Sequence, residues 1–387
     1  MVAKQGNRVS LKNRKQKAGA SRLSAFTAGM LVGLTPLLSA PAAAADAAEV
    51  AMVIDAVRGK YPDLAVYCKL SDAERRQVVV GTTMALASSR KMSDPFAAGP
   101  EAGVKLRQEC GIDAAKTSMA QLRWLVNAPP ITFNTSRASL GVLTSPQDLA
   151  NRIFAPNSPG PFPAVVIGQT KSVSAHLLVH ARSLIDAGFA VLVVDTFGSR
   201  DYKVGVNEPF PSQFAKDAYD ALSVLQSLDF VDRNRIYQTG YSNGGLAAAL
   251  LASPEGAREL KATGRFRATV ANYGSCKIAS PYAGGKANVT FMDMLSADSD
   301  RPILMLMGEL DIETPPATCF PLLNEMKAAG KPVEWHIYPK TTHGWDKAEH
   351  NGHVFRTNAG ETMAYRYDAE VTRDATARMI DFFNRHR

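Results

Sequence analysis

Three things are missing from this sequence of 387 residues. Past its first 40 positions there is no stretch long or apolar enough to span a bilayer, which argues against a further membrane-spanning helix. There is no internal repeat either. The folded body also lacks an excess of one charge sign. The whole chain carries 44 basic and 36 acidic residues, but its first 45 positions hold Lys4, Arg8, Lys12, Arg14, Lys15, Lys17 and Arg22 and no acidic residue, which leaves 37 against 36 for the remainder. A surface built to neutralise phosphates is therefore not expected, and nucleic acid is not an expected partner. What remains is 46% hydrophobic and 21% charged, the composition of a globular chain with a sizeable core.

The leader accounts for the charge. A basic stretch to Arg22 is followed by an apolar run from Leu23 to Leu38, broken only by small residues and Pro36, and then by PAAAAD at 41–46. This is the three-part layout of a secretory signal, with cleavage expected after Ala45 and residues 1–45 as signal peptide. The run is about 16 residues long, against about 20 for a spanning helix. An uncleaved anchor is the alternative reading. The leader has no adjacent arginine pair for the twin-arginine route. The expectation is a secreted or periplasmic protein with no stable membrane insertion once the signal is removed.

Cysteine is scarce, and all four, Cys68, Cys110, Cys276 and Cys319, follow the leader. An even number in an exported chain is compatible with two disulfides, and four cysteines allow three connectivities. Pairing local in sequence, Cys68 with Cys110 and Cys276 with Cys319, keeps each bridge within one of the segments below and would contribute roughly 2 to 4 kcal/mol apiece. Buried free thiols are the alternative.

Residues 46–128 carry helical signals only. Val50, Val53, Ile54 and Val57 recur at helical spacing, and Ser71 with Glu74 offers a capping box ahead of Val78 to Leu86. The Pro and Gly content of MSDPFAAGPEAG at 92–103 predicts a loop, and a helix is expected from Ala114 to Val126. This segment reads as a small helical extension. From 129 to 387 strands and helices alternate, the pattern of an α/β chain with a mostly parallel central sheet flanked by helices. Strands are expected at about 131–143 and 151–155, then at 164–168, 190–195, 235–240, 268–274, 303–308 and 333–338; helices are expected at 175–187, 212–228 and about 362–385.

The chemistry concentrates in this second segment. Gly240-Tyr241-Ser242-Asn243-Gly244-Gly245 lies between the strand RIYQTG and the helix formers LAAALLAS. A GxSxG turn between strand and helix needs small residues for close backbone approach and presents its serine above the sheet. A serine hydroxyl is a weak nucleophile without a base, and the base needs a third group to fix its tautomer. Asp311 follows the strand ILMLMG, and His343 follows the strand VEWHIY. Each of the three therefore sits at the C-terminal end of a predicted strand and can meet the others at one sheet edge. Glu309 and Glu313 are rival acids, and Asp311 is preferred. His336 lies within a strand and reads as structural, while His350 and His353 lie in a polar loop. His176 and His180 are four apart on a predicted helix, but no third ligand is apparent, and neither a metal nor another cofactor is required. Backbone N–H groups of Asn243 and Thr170 are the expected oxyanion donors.

From about 131 to 385 the chain resembles the dienelactone hydrolase branch of the α/β-hydrolases. The resemblance is carried by PAVVIGQT, AGFAVLVVDTFGSR, GYSNGG, GELD and TTHGW, in that order. It implies an α/β-hydrolase fold, with Ser242 as nucleophile, Asp311 as acid, His343 as base, and Thr170 and Asn243 as oxyanion donors. Dienelactone hydrolases proper use a cysteine where Ser242 stands. Many esterase relatives have a His-Gly pair where this chain has Gly168 and Gln169, and Arg200 lies near the family's carboxylate-binding arginine at a different spacing. The function expected is an exported serine hydrolase acting on a small-molecule carboxylic ester. A peptidase or amidase on the same fold and a catalytically silent binding protein are the alternatives. The segment 275–300 is the expected lid or substrate wall, with Tyr282, Phe291 and Met292 either contacting substrate or serving as packing.

Overall fold

In a computed structural model the described residues are 46–387 except 71, 90, 112–122, 127, 144, 201, 203–207, 280–290 and 358–359. The expected leader and cleavage site lie outside them, as do Ser71, Tyr282 and most of the helix expected at 114–126. The described residues fall within one compact unit.

Among the described residues, four helices come first: α1 (Ala47–Lys60), α2 (Leu64–Lys69), α3 (Asp72–Ser88) and α4 (Pro95–Glu109). Val50, Val53, Ile54 and Val57 form one buried face of α1, as their spacing predicts, and pack with Val79, Ala98, Ala102 and Leu106. The loop expected at 92–103 is instead largely helix. Pro95 takes the first helical position, where its missing N–H costs nothing, and the Asp94 carbonyl accepts from Ala98 N–H at 3.1 Å. The apolar spacing of Ala98, Ala102 and Leu106 then outweighs the breaker signal of Pro100. Cys68 and Cys110 are disulfide-bonded, closing α2 onto the end of α4. Within the expected helix 114–126, the described residues are not helical: 123–124 form a turn and 125–126 have no regular structure. Arg123 reaches Glu255 at 3.4 Å and the Met294 carbonyl at 3.2 Å, which fastens this turn to the body.

Strands β1 (Asn134–Ala138), β2 (Arg152–Phe154), β3 (Phe162–Gly168), β4 (Ala190–Val194), β5 (Val231–Tyr241) and β6 (Thr269–Asn272) follow. A short hairpin of β7 (Lys277–Ala279) and β8 (Phe291–Asp293) precedes β9 (Ile303–Gly308) and β10 (Val333–Tyr338). Eight of these form one sheet in the order β1-β2-β4-β3-β5-β6-β9-β10. β2 against β4 is its one antiparallel pairing. Helices α5 (Ala175–Asp186), α6 (Pro211–Gln226), α7 (Asn243–Leu251), α8 (Pro254–Glu259), α9 (Phe320–Ala328) and α10 (Ala369–Arg385) complete the chain with a second hairpin, β11 (Val354–Arg356) and β12 (Thr362–Ala364). This strand order, with helices on both faces, is the α/β-hydrolase fold.

The wholly apolar central strands serve two cores at once. Along β3, Ala164 and Val166 face one core while Val165 and Ile167 face the other; along β9, Ile303, Met305 and Met307 alternate with Leu304 and Leu306 in the same way. Met292 is buried in the first of these cores, so the packing alternative holds for it. The last helix starts later than the expected 362. Asp368 caps it, its carboxylate accepting from Glu370 and Val371 N–H at 2.9 and 3.0 Å, and residues 362–364 pair as β12. Among the described residues, no helix is long and apolar enough to cross a membrane.

Candidate active site

The serine turn is built by close approach. Ser242 sits between β5 and α7 with φ 54° and ψ −110°, a conformation that strains any residue with a side chain. Its N–H donates to the Asn272 carbonyl at 3.1 Å, and its carbonyl accepts from Leu246 N–H at 2.9 Å. A Cβ at Gly240 would run into the Gly244 carbonyl, and one at Gly244 into the carbonyls of Gly168 and Gln169. These two positions therefore have to be glycine for the strand to turn directly into the helix.

Ser242 Oγ lies 3.0 Å from His343 Nε2, and His343 Nδ1 lies 2.7 Å from Asp311 Oδ2. Three residues from three strand ends thus share one hydrogen-bonded row. Of the rival carboxylates, Glu309 accepts from Lys340 N–H at 2.8 Å, and Glu313 accepts from the Tyr365 hydroxyl. Asp311 has a full set of donors. Its Oδ1 accepts from Glu313 N–H at 2.8 Å and Thr314 N–H at 2.9 Å, and its Oδ2 takes the Thr314 hydroxyl at 2.7 Å besides the imidazole. Burial alone would raise its pKa, but the His343 charge and these bonds outweigh burial and hold it below the ordinary value. For His343 the balance runs the other way round: burial would lower its pKa, and the Asp311 carboxylate more than offsets that, leaving it raised.

The expected oxyanion donors are the N–H groups of Thr170 and Asn243. Gly168 pairs with Gly240 across β3 and β5, and Gly244 N–H donates to the Gln169 carbonyl at 3.0 Å, so the 168–170 loop rests on the serine turn. Among the described residues neither Thr170 N–H nor Asn243 N–H has a hydrogen-bond acceptor. A pair of free amides at such a turn can receive a developing negative charge.

Other candidates have different employment. His176 and His180 are both buried in α5. His180 Nε2 meets Asp346 Oδ2 at 2.7 Å and its Nδ1 meets Thr376 Oγ1 at 3.1 Å, while His176 Nδ1 meets Ser174 Oγ at 2.8 Å. Burial pushes the His176 pKa down to about 3. Among the described residues no group of three His, Cys, Asp or Glu could hold a metal ion. His336 packs edge-on against Tyr338 at 4.6 Å. His350 and His353 lie about Tyr365, at ring distances of 6.0 and 5.9 Å. Arg200 is spent on a bidentate pair with buried Asp217, at 2.8 Å to each oxygen, and on the Pro129 carbonyl, so it is not free to receive a substrate carboxylate. Cys276 and Cys319 are disulfide-bonded and join the segment after β6 to the start of α9, just beyond the Asp311 loop. Both bridges are the sequence-local ones.

Several contributors carried no sequence signal strong enough to single them out. The Thr314 hydroxyl braces Asp311, and only its position three residues on, the spacing of an Asx-type turn, hints at it. The Tyr273 ring lies edge-on to His343 at 4.8 Å, and its hydroxyl donates to Asp346 Oδ1 at 2.8 Å. Asp346 is fully buried, and the nearby imidazoles and the Tyr273 hydroxyl overcome the cost of burial and hold its pKa down at about 2. Lys347, 7% exposed, points its Nζ at Thr170 Oγ1, 3.4 Å away.

The model of the prolyl oligopeptidase family matches residues 176–360, just under half the chain, a span that includes Ser242, Asp311 and His343. No curated protein sequence matches. Among solved structures, the chain is similar to one described as a dienelactone hydrolase from Klebsiella pneumoniae subsp. pneumoniae MGH 78578, at 20% identity over 59% of this chain and 89% of that one, with a TM-score of 0.42. It is also similar to Thermogutta terrifontis esterase 2, both with butyrate bound and phosphonylated by cyclosarin. Each of these is 17% identical, covering 60% of this chain and 87% of that one, with a TM-score of 0.45. The fold assignment rests on the strand order itself.

Proposed function

We propose that the chain is a serine hydrolase that cleaves a small-molecule carboxylic ester through an acyl-enzyme. The observation that carries this reading is the row Ser242 Oγ, His343, Asp311, with contacts of 3.0 and 2.7 Å. Ser242 Oγ attacks the ester carbonyl carbon while His343 Nε2 takes its proton; Asp311 keeps the Nδ1 proton in place and balances the imidazolium. The carbonyl oxygen becomes an oxyanion facing the Thr170 and Asn243 amides. Collapse expels the alcohol, which receives the proton from His343, and a water activated by the same imidazole then releases the acid. No cofactor enters these steps. The raised pKa of His343 suits a group that must hold a proton between the two halves of each cycle.

A second reading, cleavage of an amide or peptide bond, is favoured by the match to the prolyl oligopeptidase model. The same row would perform it, since both reactions pass through a tetrahedral oxyanion. Turnover of a panel of nitrophenyl esters against nitroanilides of the same acyl groups separates the two, with Ser242→Ala as control. The ester reading expects turnover confined to, or far faster with, the esters, and loss of nearly all of it in the folded control. Turnover of the anilides alone would replace it with the amide reading, and turnover of neither would leave a silent binding protein of this fold.

The proposal extends to export, to the periplasm or the medium. The basic, apolar and small-residue order of the leader supports it, together with two disulfides, which persist in oxidising compartments.

A further inference from the structure

Lys347 is a buried cation. It forms no ion pair among the described residues, because its acidic neighbours are occupied or turned away: Asp346 by His180 and Tyr273, Glu313 by Tyr365, and Glu349 out on the surface 3.9 Å from His176. An ammonium in that position is costly unless it serves something. Its one hydrogen bond among the described residues is the 3.4 Å contact with Thr170 Oγ1. An ammonium can only donate, so Thr170 Oγ accepts, and the hydroxyl's own proton must go elsewhere. Thr170 is 5% exposed, and among the described residues nothing accepts that proton, just as nothing accepts from the Thr170 N–H. Two unaccepted donors therefore sit on one buried residue, in the loop resting on the serine turn, with a positive charge behind them.

We propose that the Thr170 hydroxyl, held and polarised by the Lys347 ammonium, is a third donor to the oxyanion, which makes Thr170 a catalytic residue through its side chain and Lys347 a positioning residue. The proposal rests on Ser242 being the nucleophile. When the bond from Ser242 Oγ to the carbonyl carbon forms, the π electron pair moves onto oxygen and the serine proton passes to His343. The new anion then takes three hydrogen bonds, from the Asn243 amide, the Thr170 amide and the Thr170 hydroxyl. The ammonium adds no proton to the step. By holding and polarising the Thr170 hydroxyl it strengthens that one hydrogen bond to the anion, and the effect vanishes when the carbonyl is restored, so it acts on the rate and not on ground-state binding.

The test needs no natural substrate. The full chain is labelled with a rhodamine-tagged fluorophosphonate, whose phosphoryl oxygen occupies the oxyanion position, and kcat and KM are measured on p-nitrophenyl butyrate. Thr170→Val is expected to slow labelling and kcat by roughly ten- to a hundredfold with KM little changed, and Thr170→Ser to recover most of that loss. Lys347→Met is expected to slow both by about tenfold, and to slow a Thr170→Val background no further, because the charge acts through the hydroxyl. Wild-type rates in Thr170→Val would overturn the proposal, and so would additive losses in the double variant. A Lys347→Met effect confined to KM, appearing only with an ester that carries a carboxylate on its acyl group, would overturn it in favour of an anion-binding role. A wild-type chain that turns over ester but is labelled elsewhere than Ser242 would remove the underlying reading, and the proposal with it. Melting curves for all variants separate loss of rate from loss of fold.

Discussion

Replacing Asp311 by Asn tests how the proposed base is oriented, and the structure fixes the outcome in advance. Asp311 Oδ1 accepts two backbone N–H groups at 2.8 and 2.9 Å, and only an oxygen can stand there. The new amide nitrogen must therefore take the Oδ2 position, facing His343 Nδ1 and the Thr314 hydroxyl, both now at 2.7 Å. Nitrogen donates, so Nδ1 has to accept, and the imidazole proton moves to Nε2. There it points at Ser242 Oγ, 3.0 Å away, and the group that should remove the serine proton presents one instead. A wrong tautomer in such a row typically costs about 10³- to 10⁴-fold in kcat, or ~4 to 5.5 kcal/mol. Thr314 can turn its hydroxyl wholly to the Tyr273 carbonyl at 3.1 Å, so no buried hydroxyl is orphaned and the melting temperature should change little. The variant also loses the carboxylate that raises the His343 pKa, so its residual activity should extend to lower pH than the wild type's. The assay is kcat on p-nitrophenyl butyrate across pH 5 to 9, beside a melting curve. A folded variant that keeps more than about a tenth of the wild-type kcat would refute the orientation argument.

Further outcomes follow from the same coordinates. Because the His343 pKa is raised above its ordinary 6.5, kcat/KM should climb along an acid limb centred above that value, while the stability this residue contributes, complete below the unfolded pKa, should fade as pH rises through the folded one; a limb centred below 6.5 would contradict the pairing. Asp346, held at about 2 against an ordinary 3.8, should contribute about 2 to 3 kcal/mol at neutral pH that is lost as pH falls from about 4 towards 2. Chemical denaturation of Asp346→Asn against wild type should therefore show a gap at pH 7 that narrows over that window. Removing the Cys276–Cys319 bridge by a double alanine substitution should lower stability by roughly 2 to 4 kcal/mol, read from the denaturation midpoint, and an unchanged midpoint would count against it.

How much of this was legible in the sequence follows from where the constraints act. Ser242, Asp311 and His343 could be picked out because each is tied to a local pattern: a strand end, a turn too tight for anything but glycine at 240 and 244, and a loop that follows an apolar strand. Disulfide pairing was legible for a similar reason, since local bridges respect the segment boundaries. Backbone propensity misled at α4, where burial of Ala98, Ala102 and Leu106 outweighs Pro100 within the helix, and at residues 362–364, which pair as a strand until Asp368 can cap the last helix. Long-range partners were not legible at all. Nothing in the sequence near Arg200 says that Asp217 will occupy its guanidinium, and no spacing announces that Lys347 will reach back to Thr170 or that His180 will meet Asp346. Those contacts exist only once the sheet has brought the loops together.

In the proposed reaction the Ser242 hydroxyl is the attacking group. Tryptic mass mapping after reaction with a fluorophosphonate checks this: one covalent adduct per chain is expected, on the peptide carrying Ser242, and none in a folded Ser242→Ala chain. No adduct on the native chain, or an adduct on any other residue, would contradict it.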